Sequence, residues 1–298
     1  MNRTHRAFLD DRGAVRNGWK VLGFLVLLNL LGVLLTPLLR AWPPAWQGFL
    51  PGRWFDAVLV LGLSALCLRF EGEPLAGIGL RLDRAFFAHL ALGTLGGAAL
   101  IGLTALGLWA LGGFHWIRTP EAAAGDLLAG AWLYLAVACF EELLFRGYAF
   151  QRAVRGLGFA GAQVLFALAF AYGHWNNPGM VGATRLWATT NIALAALLLG
   201  LCWRRTGSLA LPIGVHLGWN WAQGTLLGFG VSGTGGPGWW TPVFHDRPEW
   251  LSGGAFGLEA SVLCTLLCSA AILALGLWKG VRTGEAARRG GASTASGS

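Results

Sequence analysis

The chain has 298 residues, of which 55% are apolar and 12% charged, with a mean hydropathy of +0.57. A soluble domain carries about twice that share of charge, so the composition excludes a soluble globular protein and defines an integral membrane protein. The net charge of +8 would suit a nucleic-acid binder, but the basic residues gather at the ends of apolar runs, so no nucleic-acid partner is expected.

In chain order, residues 1–18 read as a cytoplasmic amino-terminal segment. The run that follows is too long for the core of a secretion signal and lacks a small-residue cleavage site. Apolar runs fall at 19–39, 54–68, 86–112, 124–145, 158–174, 186–203, 208–228 and 256–278. Most reach the roughly 20 residues that cross a bilayer as a helix, and nothing alternates with strand period. The predicted fold is therefore all-α, a polytopic membrane bundle of about eight transmembrane helices. Residues 19–124 hold the first helices, 226–255 an external glycine-rich loop, 256–278 the last span, and 279–298 a disordered cytoplasmic tail. The glycine-rich stretch at 228–239 matches neither a phosphate-binding loop nor a dinucleotide turn.

Charge sets the orientation. With a cytoplasmic amino terminus and eight spans, only Arg40, Arg53, Arg118, Arg185 and Arg247 of the 22 Lys and Arg residues fall outside. This positive-inside bias places both termini in the cytoplasm. Trp42, Trp46, Trp54, Trp116, Trp239, Trp240 and Trp250 lie at run edges or in loops, where an interfacial belt is expected. Cys67, Cys139, Cys202, Cys264 and Cys268 all sit in apolar runs without paired spacing and read as small buried hydrophobes. His89, His115 and His245, at run edges or in loops, carry no functional reading.

The informative residues interrupt the apolar runs. Leu135-Ala-Val-Ala-Cys-Phe-Glu-Glu-Leu-Leu-Phe-Arg146 places two carboxylates at membrane depth, where an unpaired charge costs about 2.5–3.5 kcal/mol. Glu142 and Arg146, four residues apart, share a helix face and read as a structural ion pair. Glu141 is turned about 100° away and must find its partners elsewhere. Further on, Phe170-Ala-Tyr-Gly-His174 ends one run, and His216-Leu-Gly-Trp-Asn220 puts an imidazole and an amide on one face of another. Pro212, four residues before His216, is expected to kink that helix and free the Ser208 carbonyl. Glu141, His174, His216 and Asn220 thus lie on three helices at overlapping depth. Such a set can activate water and stabilise an oxyanion. Equally, Glu141, His174 and His216 could hold Zn²⁺ with an open position.

Glu141-Glu-Leu-Leu-Phe-Arg146, Phe170-xxx-His174 and His216-xxx-Asn220, in this order, resemble the three motifs of the CPBP intramembrane protease family. That family includes the Rce1-type CAAX prenyl endopeptidases and bacterial bacteriocin-processing proteins. The resemblance covers about residues 125–225, which it marks as the catalytic domain, and it implies an eight-helix bundle with an intramembrane polar cavity. By the same resemblance, Glu141 is the general base for a hydrolytic water, helped by His174. His216 and Asn220 bind the oxyanion, or His216 joins a metal site, while Glu142 and Arg146 support the base.

The implied activity is hydrolysis of a peptide bond in a membrane-embedded or membrane-tethered substrate, prenylated or leader-like, within the lipid bilayer. Two other classes compete. A proton-coupled transporter could use the same carboxylates and histidines as a relay, but it calls for inverted repeats with broken helices in both halves. A catalytically silent immunity-type scaffold would have no use for an intact set of motifs. Short loops and seventeen cytoplasmic basic residues suit a bacterial inner membrane.

Overall fold

The computed structural model describes residues 7–40, 52–236 and 238–280. Most of the tail expected at 279–298, the first residues of the amino-terminal segment, and Trp42 and Trp46 lie outside these. Eight longer helices are found among the described residues. They are α1 Asn17–Arg40, α2 Gly52–Phe70, α3 Arg84–Ala110, α4 Ala124–Arg146, α5 Tyr148–Gly173, α6 Gly182–Thr206, α7 Ala210–Asn220 and α8 Val262–Leu277.

Local chemistry fixes several boundaries. Asp83 caps α3 by accepting from the Phe86 amide at 2.9 Å, and Ser261 caps α8 by accepting from the Cys264 amide at 3.1 Å. The Asp126 carboxylate accepts from the Ala123 amide at 2.8 Å, satisfying a donor at the start of α4. Within α5, Gly158 at φ +72° breaks the helix, so its basic first part runs in a different direction from the apolar remainder.

Among the described residues, four stretches are long and apolar enough to cross a membrane: Asn17–Pro37, Arg84–Ala110, the joined Ala124–Gly173 and Gly182–Thr206. The third is 50 residues long and comprises α4 and α5. Helix α8 is apolar but has only 16 residues. The fold is that of a helical membrane protein.

Successive helices run in alternate directions, as contacts at their ends show. At one end Lys20, at the start of α1, lies 3.4 Å from Glu71 just after α2. Arg152 of α5 is buried against Glu71 at 2.7 Å and Glu73 at 3.1 Å, and Arg155 reaches Glu73 at 2.6 Å. The Leu209 amide, entering α7, donates to the Gly79 carbonyl at 3.0 Å, and Arg205 of α6 donates to the Leu275 carbonyl of α8 at 2.8 Å. Lys20, Arg152, Arg155 and Arg205, four of the basic residues grouped by the sequence on one side, thus lie at one end of the bundle.

At the other end lies a correction to the all-α expectation. Strands β1 Phe114–Arg118 and β2 Trp240–Phe244 pair antiparallel, with Phe114 opposite Phe244 and Arg118 opposite Trp240. The segment expected as an external loop at 226–255 is thereby tied down by β2 and by a helical turn at Glu249–Ser252. Each strand has only five residues, too few for an alternating pattern to register against the aromatic background.

Pro212 also departs from expectation. Helix α7 begins at Ala210, which puts Pro212 in the first turn, where its missing N–H leaves no bond unmade. No kink results, and α7 instead widens after Asn220 into a π-helical turn at Trp221–Leu226.

The tightest packing in the bundle joins α3 to α7. A Cβ on Gly93 would lie 2.5 Å from the Leu211 carbonyl oxygen, and one on Gly97 would collide with that of Val215. From the other side, a Cβ on Gly214 would strike the Leu90 carbonyl and one on Gly218 the Thr94 carbonyl. Each helix thus presents a pair of glycines four residues apart, the small-xxx-small pattern that lets helices in lipid approach to backbone contact. His216 lies between Gly214 and Gly218, so this contact sets the placement of its side chain.

Candidate active site

A cavity of about 610 Å³ lies within the bundle. Glu141 of α4, His174 at the end of α5, and His216 and Asn220 of α7 all line it. The side chains around it are mostly apolar, among them Val137, Phe140, Phe170 and Leu198, with few polar groups, as in ligand sites generally.

The paired glutamates take different positions. Glu142 is fully buried, and its Oε1 accepts from Arg146 Nη1 at 3.2 Å and meets His216 Nδ1 at 2.9 Å. Arg146 is held further by donating to the Ala196 carbonyl at 2.9 Å, and its guanidinium lies 5.2 Å above the Phe170 ring. Gln163 donates to the same Ala196 carbonyl at 2.9 Å. Glu141 faces the cavity, with Oε2 3.7 Å from His216 Nε2. That separation exceeds a direct hydrogen bond and suits two groups that share a water or a substrate atom.

His216 thus stands between the two carboxylates. Its Nδ1 donates to Glu142, which fixes the tautomer and leaves Nε2 directed at Glu141. His174 is oriented by backbone, with Nδ1 2.7 Å from the Phe170 carbonyl oxygen. Phe170 links the sequence motifs. Its ring lies 4.8 Å from that of His174, 6.5 Å from that of His216 and beneath Arg146. Among the described residues no hydrogen bond or ion pair joins His174 to Glu141.

The expected zinc set of Glu141, His174 and His216 is not assembled. Among the described residues, no group of three or more His, Cys, Asp or Glu side chains is gathered so as to hold a metal ion. The Nδ1 atoms of both histidines are engaged, by Glu142 and by the Phe170 carbonyl, which leaves each Nε2 as the ring atom open to the cavity. As placed, Glu141, His174 and His216 do not form a gathered three-ligand group.

The structure adds site residues that the sequence reading passed over. Glu259, Trp219, Asn191 and Ser232 also line the cavity. Asn191 donates to the Glu259 and Ser261 carbonyls at 2.8 and 2.9 Å and accepts from Thr265 at 2.7 Å. Glu259 had a legible signal, an acidic residue inside the run at 256–278.

The fold and the buried polar site define a helical membrane protein with chemistry placed inside its bundle. Residues 123–222 match the family of type II CAAX prenyl endopeptidases, Rce1-like, so this part of the chain is an Rce1-like domain of the CPBP family. No curated protein and no solved structure matches the chain. The matched segment runs from the start of α4 into the π-turn after α7 and contains every residue of the three motifs.

Proposed function

We propose that the protein is an intramembrane endopeptidase of the glutamate type, cleaving a membrane-tethered peptide. The observation that carries this reading is the convergence of Glu141, His174, His216 and Asn220 on one cavity within the Rce1-like domain. In this reading the eight helices each cross the membrane, both termini are cytoplasmic, and the membrane is a bacterial inner membrane.

Glu141 takes a proton from a water held between its carboxylate and His216. The water oxygen attacks the scissile carbonyl carbon, and negative charge develops on the carbonyl oxygen. Asn220, one turn from His216 on the same face of α7, supplies an amide donor to that oxygen, while His216 Nε2, unprotonated in this tautomer, accepts from the water. The C–N bond then breaks, and the proton carried by Glu141 passes to the leaving amine. Glu142 and Arg146 hold His216 in the tautomer this requires. The low-polarity cavity strengthens each of these interactions.

The substrate class follows from the setting: an extended peptide anchored in the bilayer by a lipid or an apolar segment. The test is incubation of purified full-length protein in lipid vesicles with a prenylated CAAX peptide and with a membrane-anchored leader peptide. Mass spectrometry should show a single cleavage that Glu141→Gln abolishes. Absence of cleavage of either kind would favour a transporter or a silent scaffold.

A further inference from the structure

Glu259 reaches the cavity from the turn Leu258–Ala260, outside the Rce1-like domain. Both of its carboxylate oxygens are engaged. Oε1 accepts from Trp219 Nε1 at 3.2 Å, and Oε2 accepts from the Ser232 amide at 2.5 Å and the Ser232 hydroxyl at 3.0 Å. Trp219 immediately precedes Asn220, so this carboxylate ties α7 to the glycine-rich segment.

Ser232 is unusual in its own right. At φ +48° it is the one non-glycine residue with positive φ among those described. A residue with a Cβ persists there only when its surroundings over-determine it, and such residues cluster at ligand clamps. The surroundings here are specific. The Ser232 carbonyl accepts from Asn177 Nδ2 at 2.9 Å, three residues beyond His174. The Gly233 amide donates to the Phe256 carbonyl at 2.8 Å, and a Cβ on Gly233 would collide with the Pro178 carbonyl. Val231, Ser232, Thr234 and Gly235 all line the cavity. Among the described residues, no hydrogen bond or ion pair joins Glu259 to Glu141, Glu142 or Arg146.

We infer that Glu259 is a positioning residue for substrate: it clamps the Val231–Gly235 segment in place as a fitted wall of the cavity, against which the peptide chain binds. The inference rests on the hydrolase reading for the identity of the ligand. The clamp acts on binding and makes no hydrogen bond to Glu141 or His216, so its loss raises KM and largely spares kcat.

Glu259→Gln keeps the shape but surrenders the charge that serves three donors. In the full-length protein it should raise KM by about tenfold with kcat changed less than about twofold. Amide exchange over 229–235 should quicken by about tenfold while that of 139–146 stays as in wild type. Ser232→Val, which loses the hydroxyl and resists positive φ, should reproduce Glu259→Gln. Ser232→Val also serves if Glu259→Gln fails to fold. A fall in kcat at constant KM, or unchanged exchange and KM in both Glu259→Gln and Ser232→Val, would overturn the assignment. Faster exchange in the variants of a wild-type protein without peptidase activity would uphold the clamp and overturn the hydrolase reading instead.

Discussion

His216 meets Glu142 through Nδ1 at 2.9 Å and faces Glu141 through Nε2 at 3.7 Å, so one imidazole separates two neighbouring carboxylates of the same helix. The two glutamates consequently have different work. Glu142 is sealed between Arg146 and His216, while Glu141 looks into the cavity. Replacing Glu142 by Gln should strand the buried Arg146 charge and release His216, destabilising the protein by about 3 kcal/mol. Glu141→Gln should leave the unfolding midpoint close to wild type. Differential scanning fluorimetry in detergent separates the two, and a destabilised Glu141→Gln beside a stable Glu142→Gln would reverse these roles.

The α3–α7 contact offers a prediction with its own control. Gly97 has no room for a Cβ, whereas Gly96 has nothing within 4 Å of one. Gly97→Ala should force the helices apart and cost about 1–3 kcal/mol, the range for overpacking, and it should also lower activity because α7 carries His216 and Asn220. Gly96→Ala should be neutral or slightly stabilising, since alanine is the better helix former. Equal effects at both positions would rule out backbone contact as the organising feature.

Acid should loosen the basic end of the bundle. The Arg155 guanidinium, with Arg152 beside it, holds the Glu73 carboxyl down at about 2, below its ordinary value of 4.5. A carboxyl depressed in the folded state contributes stability that is present above its unfolded value and lost as pH falls through the folded one. Because Glu73 is partly solvent-accessible, the contribution is modest, at most about 1 kcal/mol. The unfolding midpoints of wild type and Glu73→Gln should therefore differ at neutral pH and converge between about pH 4.5 and 2. A gap that persists through that window would remove the ion pairs as its cause.

Metal dependence is open to direct measurement. Since no three-ligand group is gathered among the described residues, cleavage should survive prolonged chelation. Elemental analysis should find zinc well below one equivalent. Stoichiometric zinc, with activity lost on its removal and regained on its return, would require the three expected ligands to rearrange around it.

Much of this was legible in the sequence where the interaction was local. The Glu142–Arg146 pair spans four residues of one helix, and the apolar runs match α3, α4 and α6 to within a few residues. Lys20, Arg152, Arg155 and Arg205, among the basic residues that marked one side, lie at one end of the bundle. What escaped depended on contacts between distant segments. Glu142 and His216 are 74 positions apart, and nothing local at Glu142 announces the imidazole. Glycines 93, 97, 214 and 218 show their purpose only when α3 and α7 are placed together. The β1–β2 pair joins short segments far apart in the chain, and Pro212 was misread because the start of α7 at Ala210 was not marked by an N-cap side chain. Glu259 is the one omission the sequence could have supplied, by the same reasoning that drew attention to Glu141.

Cleavage of a membrane-anchored peptide by the purified protein, compared with Glu141→Gln in the same vesicles, tests the central claim most directly. Wild type should release a defined fragment, and Glu141→Gln, folded and reconstituted to the same level, should release none. Equal cleavage by the two would contradict the assignment of Glu141 as the base that activates water.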